Sequence, residues 1–270
     1  MATLESGLYN LGWLDQFAAG NTTAHRLDPR AKVVTTFVFL VCVVSFGKYD
    51  LAGLAPFVLY PIVLASMSGM PGRELGKRLA VAAPFALAVG VFNPLLDRTV
   101  IATLGPIEIT AGWISYASIV TRFLLTASAA LLLVGTTGMT NVCAAVERLG
   151  VPDIFATQLL LLYRYIFVLA EEGMRLSRAR SLRSFDRRGL GPSVYANMLG
   201  HLLLRTLARA RRVFEAMQCR GFDGRIRMNR PLKMTGLDWA FMLGWSAAFV
   251  LFRTVNVPLL LGGAVTTIAS

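Results

Sequence analysis

Two short stretches of the chain write the same word twice: Arg183-Ser184-Phe185-Asp186 and Arg220-Gly221-Phe222-Asp223. The chemistry this word offers is recognition. A guanidinium presents a planar fork of donors, a small residue beside it lets another backbone come close, and a phenylalanine fills an apolar pocket. Lipid attraction needs only positive charge, so the fixed order of the three residue types describes a plug for a protein groove. Two plugs imply two grooves, most simply supplied by a pair of like subunits.

The other residues with reactive side chains form no site. The nearest approach to a phosphate-binding loop, "MPGRELGKR", has Pro71 where the first glycine belongs and Arg78 where a hydroxyl belongs, which makes it a basic loop. His25 and His201 are isolated, and Cys42, Cys143 and Cys219 share no ligand spacing, so neither a metal centre nor a disulfide framework is expected. "FDGR" has a passing likeness to membrane alcohol-phosphate transferases, but those hold divalent metal with several clustered aspartates, and Asp186 and Asp223 stand alone. The chain reads as a protein without catalytic residues, metal or cofactor.

The elements that must carry the repeated word are membrane helices and two arms. Of 270 residues 55% are apolar and only 16% charged, well below the roughly 25% charged of a soluble domain. Apolar runs extend from about Ala31 to Phe46, Leu51 to Met67, Leu79 to Leu96, Ile114 to Val134 and Leu237 to Phe252, which suggests about five spans. "RLDPRAK" starts the first, with Asp28 as cap and Pro29 at the first helical position. Pro56, Pro61, Pro84 and Pro94 predict kinks. Arg122 is the one charge well inside an apolar run, and a structural role for it is the favoured reading.

The net charge of +12 is concentrated: Met139 to Gly236 holds seventeen Arg or Lys against seven Asp or Glu. With Arg26, Arg30 and Lys32 before the first span and no charge after Arg253, this places the N-terminus and the basic block in the cytoplasm. Within the block, Asp153 to Phe185 has apolar residues at helical spacing, as does Ser193 to Arg220, where Arg205, Arg209 and Arg212 share a face. A short break at "RRGLGP" joins the two into a hairpin of long amphipathic arms.

In "LDPRAK", "LYRYIFVLAEE", "RARSLRS" and "AMQCRGFDGR" the chain resembles the transmembrane T component of energy-coupling factor transporters, in the cobalt/nickel branch called the CbiQ family. The resemblance runs over essentially the whole chain. It implies an all-α integral membrane protein with about five transmembrane helices, and two long cytoplasmic coupling helices between the fourth and fifth spans. Residues 1–138 would hold the N-terminal segment and four spans, 139–236 the coupling helices, and 237–270 the last span. The protein would sit in a bacterial or archaeal cytoplasmic membrane.

It further implies an ABC importer for cobalt or nickel. Two cytoplasmic ATPases would drive it, and a membrane-embedded CbiM/NikM-like S component would bind the substrate, with a small accessory membrane subunit as a further partner. The family docks its ATPases on Ala-Arg-Gly or Ala-Arg-Ser tripeptides. Arg220 with Gly221 fills one, with Cys219 standing where the family has alanine and Phe222 following. The other is literally Ala179-Arg180-Ser181, whereas the internal repeat singles out Arg183, Ser184 and Phe185, and both options stay open. A T component for a vitamin such as biotin, or a membrane scaffold whose basic helices bind lipid or nucleic acid, are the alternatives.

Overall fold

The computed structural model describes residues 15–96, 100–104, 107–183, 192–224, 226 and 234–255. Two compact units emerge: one combines Phe17–Gly138 with the part of the chain after Leu232, the other Met139–Pro231 with Asp15 and Gln16. Both are helical, apart from one two-stranded hairpin. Among the described residues, Gly72–Pro94, Ala111–Thr137 and Asp153–Arg183 are helices long and apolar enough to cross a membrane, and Ala52–Ser68 is a shorter apolar segment.

The first unit begins with a single helical turn, α1 (Thr23–Arg26), and with α2 (Pro29–Val44). Asp28 caps α2 as the sequence requires, its carboxylate accepting from the Arg30 N–H at 2.9 Å. The second apolar run is split. Ala52–Val58, with Pro56 inside, is a 3-10 helix, and α3 (Leu59–Ser68) continues it. Proline lacks the N–H of a regular ladder, so the tighter turn absorbs it. In contrast, α4 (Gly72–Leu96) runs unbroken past Pro84.

A hairpin that the apolar runs do not announce follows, β1 (Val100–Leu104) antiparallel to β2 (Ile107–Thr110). It leads into α5 (Ala111–Thr137), which lies close to α4 where the Tyr116 ring covers Gly90. A Cβ at Gly90 would stand 2.8 Å from that ring, so only glycine permits the approach. Nearby, Asn93 donates to the Ser115 hydroxyl at 2.9 Å.

The last helix of this unit, α9 (Gly236–Thr254), packs on α2 through aromatic side chains. Phe39, Phe57, Tyr60 and Phe249 are all fully buried, with Phe39 and Phe249 ring centres 5.2 Å apart. Buried aromatics of this kind each remove a large area from solvent and interlock edge to face. At one end of the cluster Arg253 donates to the Ser45 hydroxyl at 2.7 Å and to its carbonyl at 3.1 Å. Arg122 donates to the carbonyl of Gly47 two residues on. The intramembrane arginine is thus a clamp on the loop that leaves α2.

At the other end is a polar node that a helix-start motif alone does not forecast. Lys32, counted from sequence among the cations at the membrane entry, is only 2% exposed. Its Nζ donates to the carbonyls of Ala24 and Thr136, both at 3.0 Å. Asp238 accepts from the Asp28 N–H at 2.7 Å, and its other carboxylate oxygen takes the Thr235 N–H and hydroxyl in a capping box. One lysine and one carboxylate therefore tie the starts of α2 and α9 to the end of α5.

His25 hangs beside this node. Its Nε2 donates to the Phe17 carbonyl at 2.9 Å, which leaves Nδ1 to accept from the Thr22 hydroxyl at 2.6 Å. Burial pushes the imidazole pKa below its ordinary value; the Phe17 bond opposes this, and the Lys32 charge adds to it. A depressed folded-state pKa means the unfolded chain binds the proton more readily, so stability rises with pH in this range. The protein should therefore lose stability as pH falls from about 6.5 toward the lower folded value. Thermal unfolding in detergent at pH 7.5 and pH 5 checks this, and the His25→Gln variant should have a flatter pH dependence over that interval.

The second unit holds α6 (Met139–Arg148), α7 (Asp153–Arg183) and α8 (Pro192–Cys219). α6 packs on α7. Asp15 accepts a 2.7 Å bond from the Tyr163 hydroxyl, tying the chain before α1 to α7. α7 is uneven along its length: between Ile154 and Ala170 only Arg164 is charged, and charges crowd the remainder. That apolar first half is why a helix expected to be an arm also meets the length and composition of a span.

Candidate docking site

The second copy of the repeated word sits on a helix terminator. α8 ends at Cys219, and the Gly221 backbone turns to φ +78°. The Gly221 N–H donates to the Gln218 carbonyl and the Phe222 N–H to the Met217 carbonyl, both at 3.0 Å. These paired bonds define a Schellman motif, which needs glycine at the left-handed position. The small residue after Arg220 is thus required by the backbone itself, besides any access it gives a partner. Arg220 and Cys219 are exposed at this tip, and Phe222 is half-buried.

At the first copy, Ala179, Arg180, Ser181 and Arg183 all lie exposed in the last described turns of α7. Ser181 donates its hydroxyl to the Arg178 carbonyl at 2.8 Å. Arg180 and Arg183, three residues apart, share a helix face. Ser184 and Phe185 lie outside the described residues. Arg180, Arg183 and Arg220 make no ion pair among the described residues.

The two tips stand at opposite ends of the arm pair. Glu172 of α7 accepts from Arg205 of α8 at 2.8 Å, while Thr157, fifteen residues earlier on α7, donates to the Gly224 carbonyl at 3.2 Å, nineteen residues later than Arg205. The order is antiparallel. Arg180 is twenty-three residues beyond Thr157, and Arg220 is four before Gly224, so the tips are separated by on the order of 30 Å.

Sequence reasoning placed the arginines but missed the cross-arm bonds. Glu172 stands three residues before Arg175 on α7, yet it pairs with Arg205 of the other arm. The long-range signal for that choice is absent from either helix read alone. No three His, Cys, Asp or Glu side chains converge among the described residues.

Helices fit to cross a membrane are joined in one chain to paired arms whose exposed tip arginines make no ion pair among the described residues. Residues 20–231 match the CbiQ family, described as cobalt transport protein. The chain is 30% identical to the energy-coupling factor transporter transmembrane protein EcfT of Heliobacterium modesticaldum, over 88% of its own length and 95% of that relative. The like-named protein of Ruminiclostridium cellulolyticum is 27% identical over 83% of this chain and 90% of its own. That of Bacillus subtilis is 26% identical over 83% and 91%. The protein belongs to the CbiQ family of transmembrane T components of energy-coupling factor transporters. It is a helical integral membrane protein, with the β1–β2 hairpin as an addition, and a non-catalytic transporter subunit.

Proposed function

We propose that the chain is the coupling subunit of a cobalt or nickel importer. The observation that carries this reading is the match of residues 20–231 to a family described as cobalt transport protein. Two cytoplasmic ATPases hydrolyse ATP and a CbiM/NikM-like S component in the membrane captures the metal, with a small accessory membrane subunit beside it. The N-terminus and the arms face the cytoplasm. One ATPase seats the tip carrying Cys219, Arg220, Gly221 and Phe222. The other seats the tip carrying Ala179 to Ser181 and Arg183 to Phe185. Closure of the ATPases on ATP moves the tips, and the arms pass that motion to the spans.

Three features support it: Arg180, Arg183 and Arg220 are exposed, they make no ion pair among the described residues, and α7 and α8 are long helices bonded to one another. The test is purification of the tagged chain from membranes of the organism that encodes it, together with metal accumulation in cells lacking it. Two ABC ATPases and a multi-span S component should co-purify, and cobalt or nickel accumulation should fall. A loss of biotin uptake with normal metal uptake would transfer the same coupling role to a vitamin. Failure of any ATPase to co-purify would overturn the coupling role, and retention that collapses with salt would point to the lipid or nucleic-acid scaffold.

A further inference from the structure

Where α7 and α8 cross, they enclose a groove of about 410 Å³. It is lined by the apolar Val168, Leu169 and Ala208, by Thr206 and Glu172, and by Arg205, Arg209 and Arg212. The three arginines are spaced by four and three residues, so they line one face of α8. Arg205 is held by Glu172, but Arg209 and Arg212 make no ion pair among the described residues. The groove therefore carries two uncompensated guanidinium groups on an apolar bed, and its size is that of a small-molecule pocket.

The surroundings point to a lipid. On α7 the groove opens at the end of the apolar run Ile154 to Ala170, in a helix apolar enough to enter a bilayer. Leu162, seven residues before Leu169 on the same face of α7, is 65% exposed. A soluble phosphate would satisfy the arginines and leave this apolar face in water; an acidic peptide would do the same. A diacyl anionic phospholipid answers both needs, with its phosphate on the arginines and its chains along Leu169 and Leu162.

We propose that the groove at the crossing of α7 and α8 binds the headgroup of one anionic phospholipid, held by Arg209 and Arg212 above Val168, Leu169 and Ala208. This site is separate from the arginines at the arm tips. A lipid seated there fills the gap between the arms at their crossing and so sets how far they can close on one another.

The experiment is native mass spectrometry of the full chain in mild detergent, titrated with dioleoyl phosphatidylglycerol, dioleoyl phosphatidylcholine or sodium phosphate. Phosphatidylglycerol should be retained in preference to phosphatidylcholine, and should weaken about thirtyfold in the Arg209→Gln, Arg212→Gln double variant. The charge-matched Arg180→Gln, Arg183→Gln variant should weaken it less than threefold. Equal retention of the two lipids overturns the proposal. So does an equal loss in both double variants, which would mean diffuse attraction. Displacement by phosphate alone at matching concentration would make it a site for the free anion and overturn the lipid. All four residues are exposed, so a shared thermal unfolding temperature confirms that the variants are folded. An Arg220→Ala variant that keeps its lipid but loses the ATPases separates this site from the docking role.

Discussion

Arg220→Ala should uncouple transport and release at least one ATPase from the purified complex. The argument rests on what the side chain has at its tip: it is exposed, without an ion pair among the described residues, and presented by a terminator that fixes the backbone beside it. In a groove its donors would become buried charge-assisted hydrogen bonds, and truncating such a partner costs roughly 2 to 5 kcal/mol. Since a factor of ten corresponds to about 1.4 kcal/mol, docking should weaken by one to three or more orders of magnitude. Arg220→Lys should recover only part of this, because an ammonium keeps the charge but lacks the planar fork. The measurements are quantitative pull-down of ATPases and metal uptake in the same cells. Wild-type values for both would remove Arg220 from the docking role. The fold of the variant should be intact, since Arg220 contributes only backbone bonds to the terminator.

Lys32→Ala should be the most damaging single change to the membrane unit. It deletes two hydrogen bonds to the Ala24 and Thr136 carbonyls and strips the buried Asp238 of its nearby cation, whereas Asp28 keeps Arg30 at 3.3 Å. Removing one member of a buried charge group typically costs 3 to 5 kcal/mol, because the remaining charges stay desolvated. On the scale of a protein's whole stability, about 5 to 15 kcal/mol, that is a large fraction. Thermal unfolding in detergent should shift down markedly, with aggregation on size exclusion. Adding Asp238→Asn to Lys32→Ala should cost less than the sum of the two single changes, since the pair is coupled. Full additivity would show that the two residues act separately.

The elements were readable from sequence where the signal is local. Asp28 and Pro29 start α2 as read, the fourth apolar run is helical over Ala111–Thr137, and the second arm expected from Ser193 to Arg220 is helical over Pro192–Cys219. What escaped was decided by distant residues. Lys32 looks like a membrane-entry cation until Thr136, a hundred and four positions away, and Asp238 are brought to it. The β1–β2 hairpin had a local signal, the β-branched residues Val100, Ile101, Ile107 and Ile109, but it is faint beside long apolar runs. For the docking residues, sequence gave type and spacing, while the role of Gly221 as a terminator needed its backbone angle.

The antiparallel order of α7 and α8 has a consequence for symmetry. Two antiparallel helices are related by an approximate dyad that passes between them at their crossing, near Glu172 and Arg205. That operation carries the C-terminal end of one arm onto the C-terminal end of the other, and with it one copy of the arginine word onto its echo. A single asymmetric chain thereby acquires a local pseudo-symmetry of the kind that two like partners, one at each arm end, would require.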